Sequence, residues 1–196
     1  VLKFDIITST PSDSYNKFIL NCAPSPSIKQ HSSMSVRSIA VRFNKKMNRL
    51  NTAPSSSFIY KHNNYVYLTN GYILLKIEDK DNEFKGSMFK INTLEEASQH
   101  EQNIYGRHIN VLKTVVKEGV CSLPFVAESM LCKIDYDKLP GGKLPSVKVD
   151  GIFINQKMFN FVNETIANPT IIKNNNNILT VGGDNGIAVI MGLNFE

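Results

Sequence analysis

The stretch VKVDGIFINQKMFNFVNETIANPTIIKNNNNILTVGGDNGIAVIMGL, residues Val147–Leu193, decides how this chain folds. Its opening, Val147 to Ile154, predicts an extended run. Helical spacing follows from Gln156 to Ala167, with Met158 and Val162 one turn apart on the apolar side. Asn174-Asn175-Asn176-Asn177 predicts a polar turn, and Gly182-Gly183-Asp184-Asn185-Gly186 a hairpin turn. An apolar strand from Ile187 to Leu193 closes the unit.

A similar order stands earlier in the chain. Val36, Ile39, Ala40, Phe43, Met47 and Leu50 recur at steps of three and four, which lines one helix face for about four turns. Asn51 to Ser57, with Pro54, ends that helix. Strands then run over Ser57–Lys61, Tyr65–Thr69 and Tyr72–Glu78, separated by Asn63-Asn64 and Asn70-Gly71, residues that tolerate the positive φ of tight turns. The chain thus has a coarse symmetry: a helix and three strands at 36–78, then a strand, a helix and further strands at 147–195. Between them, Phe84–Ile91 predicts a strand. Leu94–Lys117 predicts a helix broken at Gly106, with Ile104, Ile109, Leu112, Val115 and Val116 on one side. Pro140-Gly141-Gly142 and Pro145 make a loop. Residues 1–35 are a leading segment ending in a Pro/Ser-rich linker, and 36–196 form one α+β domain, with halves at about 36–91 and 130–196 joined by a helical crossover.

At 196 residues and 42% apolar content the chain can fill one core or two small ones. No apolar run approaches the ~20 residues that cross a bilayer, so a cytoplasmic protein without a membrane partner is expected. Cys22, Cys121 and Cys132 lack C-x-x-C spacing, and His31, His62, His100 and His108 are scattered, so neither a metal nor a cofactor is expected. No nucleophile elbow, His-Glu-x-x-His motif or spaced carboxylate pair stands out, and Asp135 with Asp137 read as an exposed strand edge; no catalytic residue is assigned. The net charge of +5 favours polyanionic partners.

Two segments carry a family likeness. Leu68-Thr69-Asn70-Gly71-Tyr72-Ile73-Leu74 is similar to the Ala-Thr-Asp-Gly-His-Arg-Leu segment of bacterial DNA polymerase sliding clamps. Ile187-Ala188-Val189-Ile190-Met191-Gly192-Leu193 resembles their carboxy-terminal apolar run and Met-Pro-Met tail, with Gly for Pro and Leu for the second Met. The resemblance, to a divergent member of phage or mobile-element type, covers about Val36 to Glu196. It implies a DNA-clamp domain: β-α-β-β-β half-units, antiparallel sheets backing two helices, double-stranded DNA as partner, a homo-oligomer, and a pocket for a peptide of a DNA polymerase or another client. It assigns Thr69, Gly71, Tyr72 and Leu74 to one pocket wall and Met191 and Leu193 to the other. Because the walls fall in different halves of one domain, a neighbouring protomer joined head to tail is expected to complete the pocket.

The residues themselves add a charge pattern. Arg37, Arg42, Lys45, Lys46 and Arg49 lie on the first helix, and at 100° per residue the last four share about a quarter of its circumference, away from the apolar face. Such a stripe neutralises phosphates without reading bases. The second helix carries Lys157, offset by Glu164. Tyr60, Tyr65, Tyr67 and Tyr72 crowd the meander, where they form either a stacking platform for single strands or a core edge. The function expected is sequence-independent tethering to duplex DNA. The alternative is a basic nucleic-acid-binding module that forms no ring.

Overall fold

Apolar residues at steps of three and four make Val36–Lys46 a helix (α1) in the computed structural model, which describes residues 34–47, 54–116, 123–124, 145–175 and 177–193. Contacts divide the chain into Val1–Ser32 and Ser33–Glu196. The first unit lies outside the described residues, as do Arg49, Asp135, Asp137, Pro140 to Gly142 and the three cysteines. Ser35 caps α1 by accepting the Ser38 N–H, and the Glu83 carboxylate accepts those of Val36 (2.8 Å) and Arg37 (3.2 Å). A helix start thus has its free donors filled by the chain itself.

A 3₁₀ turn, Pro54–Ser57, leads into the meander β1 (Phe58–His62), β2 (Tyr65–Thr69) and β3 (Ile73–Glu78), followed by β4 (Met88–Lys90). The crossover contains α2 (Gln99–Tyr105), α3 (His108–Val115) and β5 (Leu123–Pro124). The helical break at Gly106 is where the sequence placed it, although α2 starts later than Leu94, at a Ser98–Glu101 capping box. The extended run expected over Val147–Ile154 is instead a hairpin, β6 (Ser146–Val149) and β7 (Ile152–Asn155). Asp150 and Gly151, at φ 46° and 79°, make the two-residue left-handed turn that folds it back. Asn155 caps α4 (Gln156–Thr165), and β8 (Thr170–Asn175), β9 (Ile178–Gly183) and β10 (Gly186–Met191) follow.

Eight of these strands form one antiparallel sheet in the order β4-β1-β2-β3-β10-β9-β8-β5, while β6 and β7 pair with each other in a separate two-stranded sheet. The class is α+β, as expected, but β1–β3 of the first half and β8–β10 of the second lie in one continuous sheet where separate sheets were foreseen. Register aligns Leu68, Leu75, Ala188, Val181 and Ile171 in one row across five strands. That row belongs to the main core, with Ile39, Phe43 and Met47 of the α1 segment and Met158, Phe161 and Val162 of α4. Residues of opposite parity, Phe58, Tyr60, Tyr67, Leu74, Met88 and Val189, join Leu112 in a second core on the other face.

The two halves share a tie. The Asn70 amide, in the turn between β2 and β3, donates to the Met47 carbonyl just past the end of α1 (3.0 Å). The Asn185 amide, in the turn between β9 and β10, donates to the Thr165 carbonyl at the end of α4 (2.8 Å). Each half therefore fastens its last hairpin to its helix in the same way.

Candidate nucleic-acid interface and apolar ridge

Helices α1 and α4 lie side by side. Phe43 and Phe161 meet edge to face at 5.7 Å between ring centres, inside the main core. Away from the sheet, Arg37, Val41, Lys45 and Lys46 of α1 and Lys157, Asn160, Asn163 and Glu164 of α4 are exposed. The predicted stripe is divided by its neighbours. Arg42 and the Lys46 ammonium (3.0 Å) both pair with Glu164 across the helix seam. Burial pushes the Glu164 carboxyl up, but Lys46 and Arg42 together hold it below its ordinary value. Arg37 turns to the loop before β4: it donates to the Glu83 carbonyl (3.0 and 3.3 Å) and lies 5.2 Å over the Phe84 ring. Lys45 has no ion pair among the described residues.

That loop is itself anchored. Asp79, whose side chain is fully buried, accepts from Lys61 (2.7 Å) and from the backbone N–H groups of Glu83 (2.8 Å) and Phe84 (3.2 Å). Burial alone would raise its pKa, yet these hydrogen bonds and the Lys61 charge hold it below the ordinary carboxylate value.

On the opposite face the tyrosine platform is largely closed. Tyr65 and Tyr67 do share a face, but Tyr60 and Tyr67 are buried in the second core with Leu112 of α3. Burial pushes the Tyr60 hydroxyl up to about 12. The bland alternative, a core edge, is what these two rings form; the crossover helices that cover them were not assigned to this face by the sequence.

The candidate peptide residues separate into two groups. Tyr72 and Met191 are half exposed and adjacent, the Met191 N–H donating to the Tyr72 carbonyl at 2.8 Å. Tyr72 of one predicted wall and Met191 of the other therefore meet within one protomer. Ile178, opposite Met191 in register and also exposed, extends the pair into a ridge on three chain segments. Ile178 was missed by sequence, although counting back from the two-residue turn at Asp184-Asn185 places it there. Gly71 is exposed beside the ridge, while Thr69 and Leu74 are buried, Leu74 in the second core. Leu193 is half-buried and donates its N–H to the Phe153 carbonyl, which ties it to β7. Gly192 exchanges hydrogen bonds with Asn177, donating to its carbonyl (2.7 Å) and accepting from its amide (3.0 Å). A Cβ at Gly192 would overlap the Asn177 amide, and proline would also lose the N–H.

Among the described residues no three His, Cys, Asp or Glu side chains group as metal ligands, and no helix is long and apolar enough to cross a membrane. Comparison with protein-family models, curated proteins and solved structures gave no match.

Proposed function

We propose that this chain is a clamp-like DNA-tethering protein. It binds duplex DNA without sequence preference on the α1/α4 face and recruits a replication or repair partner through an apolar peptide at the Tyr72–Met191–Ile178 ridge. The observation that carries this is the repeated half-unit: two helices side by side on one face of a continuous antiparallel sheet, each tied by an asparagine to its own hairpin. Such a pair presents cations of two helices to one rod-like polyanion, and phosphate contacts give affinity without base readout. In this proposal the protein assembles as a closed oligomer around the duplex.

The basic module without a ring is the second reading, and one observation favours it. The free side of β4 is already occupied by the following backbone, Lys90 N–H to Glu95 carbonyl (2.8 Å) and Ala97 N–H to Met88 carbonyl (2.9 Å). An edge covered in this way does not pair with another subunit. Mass in solution separates the two.

The DNA test reverses Arg42, Lys45, Lys46 and Arg49 to Glu and measures duplex binding by anisotropy on unrelated sequences. Binding is expected to fall by roughly tenfold or more at low salt, equally for every sequence. Unchanged binding, or loss on one sequence alone, removes the proposal.

A further inference from the structure

We infer that Glu164 acts as a built-in substitute for a DNA phosphate, which lowers the grip of the α1/α4 face by holding Arg42 and Lys46. This rests on the duplex-binding proposal and names a regulator of the same face. Glu164 is the exposed carboxylate that reaches across the seam, and its Oε2 takes both cations at once. One oxygen accepting from a guanidinium and an ammonium is the arrangement a phosphate oxygen would adopt between them. The partners keep substantial exposure, with side chains 32% (Arg42), 47% (Lys46) and 45% (Glu164) accessible, so a duplex can reach them. Each cation that turns from Glu164 to a phosphate breaks an existing pair, so the net gain per contact is smaller than for Lys45. An exposed pair of this kind contributes little to folding, which leaves its effect on charge as the main consequence. Weak, replaceable phosphate contacts suit a protein that must stay on DNA while moving along it.

The test is Glu164→Gln, which keeps shape and removes the charge. Duplex affinity is measured at several salt concentrations in the parent chain and in an Arg42→Ala/Lys46→Ala background, with Lys45→Glu as the control for the face. Expected is about three- to tenfold tighter binding at about 50 mM salt and a salt slope steeper by about 1–2, since each added phosphate contact contributes about 0.9. The gain should vanish in the Arg42→Ala/Lys46→Ala background. A gain that persists there overturns the inference, because Glu164 would then act by general repulsion alone. Equal or weaker binding by Glu164→Gln, with Lys45→Glu still lowering affinity, overturns the inference and leaves duplex binding standing. Absence of duplex binding in the parent chain overturns both.

Discussion

The first half, α1 with β1 to β3, and the second, α4 with β8 to β10, have the same order of elements and the same Asn tie, yet their surfaces differ. Helix α1 carries Arg37, Arg42, Lys45 and Lys46; α4 carries Lys157 and an acid that answers two of the α1 cations. The outer face of β1 and β2 lies in a core shared with α3, whereas Met191 and Ile178 of the second half stay exposed. Apolar spacing and turn chemistry set the architecture, and both are repeated. Charge and coverage lie outside that constraint, and there the halves differ.

The largest break in the comparison falls on a device the first half alone has among the described residues. Asp79→Asn removes the charge that Lys61 pairs with in a nearly dry site, and stability should fall by about 3 kcal/mol at neutral pH. Because the folded carboxyl lies below its unfolded value, its contribution is present above pH ~3.9 and is lost as pH falls through the folded pKa. Urea unfolding between neutral pH and about pH 3 should therefore show a steeper acid loss in the parent than in Asp79→Asn. Parallel pH curves would show that Asp79 contributes no such linkage.

Next come the equivalent ties. Asn70 is fully buried, and its side chain also accepts the N–H groups of Tyr72 and Ile73 (both 3.0 Å). Asn185 is half-buried and accepts the Ala167 N–H (2.9 Å). Asn70→Ala should cost about 2–3 kcal/mol and Asn185→Ala about 1 kcal/mol, because solvent can take over the second set of partners and not the first. Denaturant midpoints check this. Equal costs would mean that the two turns are equally sealed and that the halves are closer copies than their burial shows.

Much of the fold was legible because it rests on local signals. Periods of 3.6 and 2, with Asn and Gly at the turns, placed α1, the meander, α4 and the last hairpin to within a few residues. The β6–β7 turn was missed although Asp150-Gly151 is a strong hairpin pair, because an apolar run on both sides of it read as one strand. Long-range pairing was the hard part. Nothing local says that β3 meets β10, that α3 closes over Tyr60 and Tyr67, or that Glu164 faces Arg42. Arg42, Lys45 and Lys46 of the stripe do lie on α1, but the partner of Arg42 and Lys46, Glu164, stands 122 and 118 residues away from them. Likewise, Tyr72 and Met191 were read as walls in different halves of the domain, needing a neighbouring protomer to complete the pocket, because sequence separation hides the β3–β10 pairing beside which they meet.

The smallest effect on stability should come from the ridge, where a large effect on binding is expected. Leu74→Lys is a poor probe there, since Leu74 is 5% exposed within the second core and a lysine would disrupt the fold itself. Met191 is 48% exposed on the last strand, so Met191→Lys should shift unfolding by no more than about 0.5 kcal/mol. If the ridge receives an apolar peptide, that lysine must lose water on docking without a carboxylate to meet it, and binding should be abolished. Ile178→Lys, opposite in register, should act alike, and Leu123→Lys, on the β5 strand at the far edge of the sheet, should not. Titration with a hydrophobic client-type peptide, alongside thermal melts of the three variants, measures both quantities. Loss of binding without loss of stability at Met191 and Ile178 alone would locate the site in the second half. Binding that survives both substitutions would remove the ridge as the partner site and leave the DNA face as the part of the proposal still to be judged.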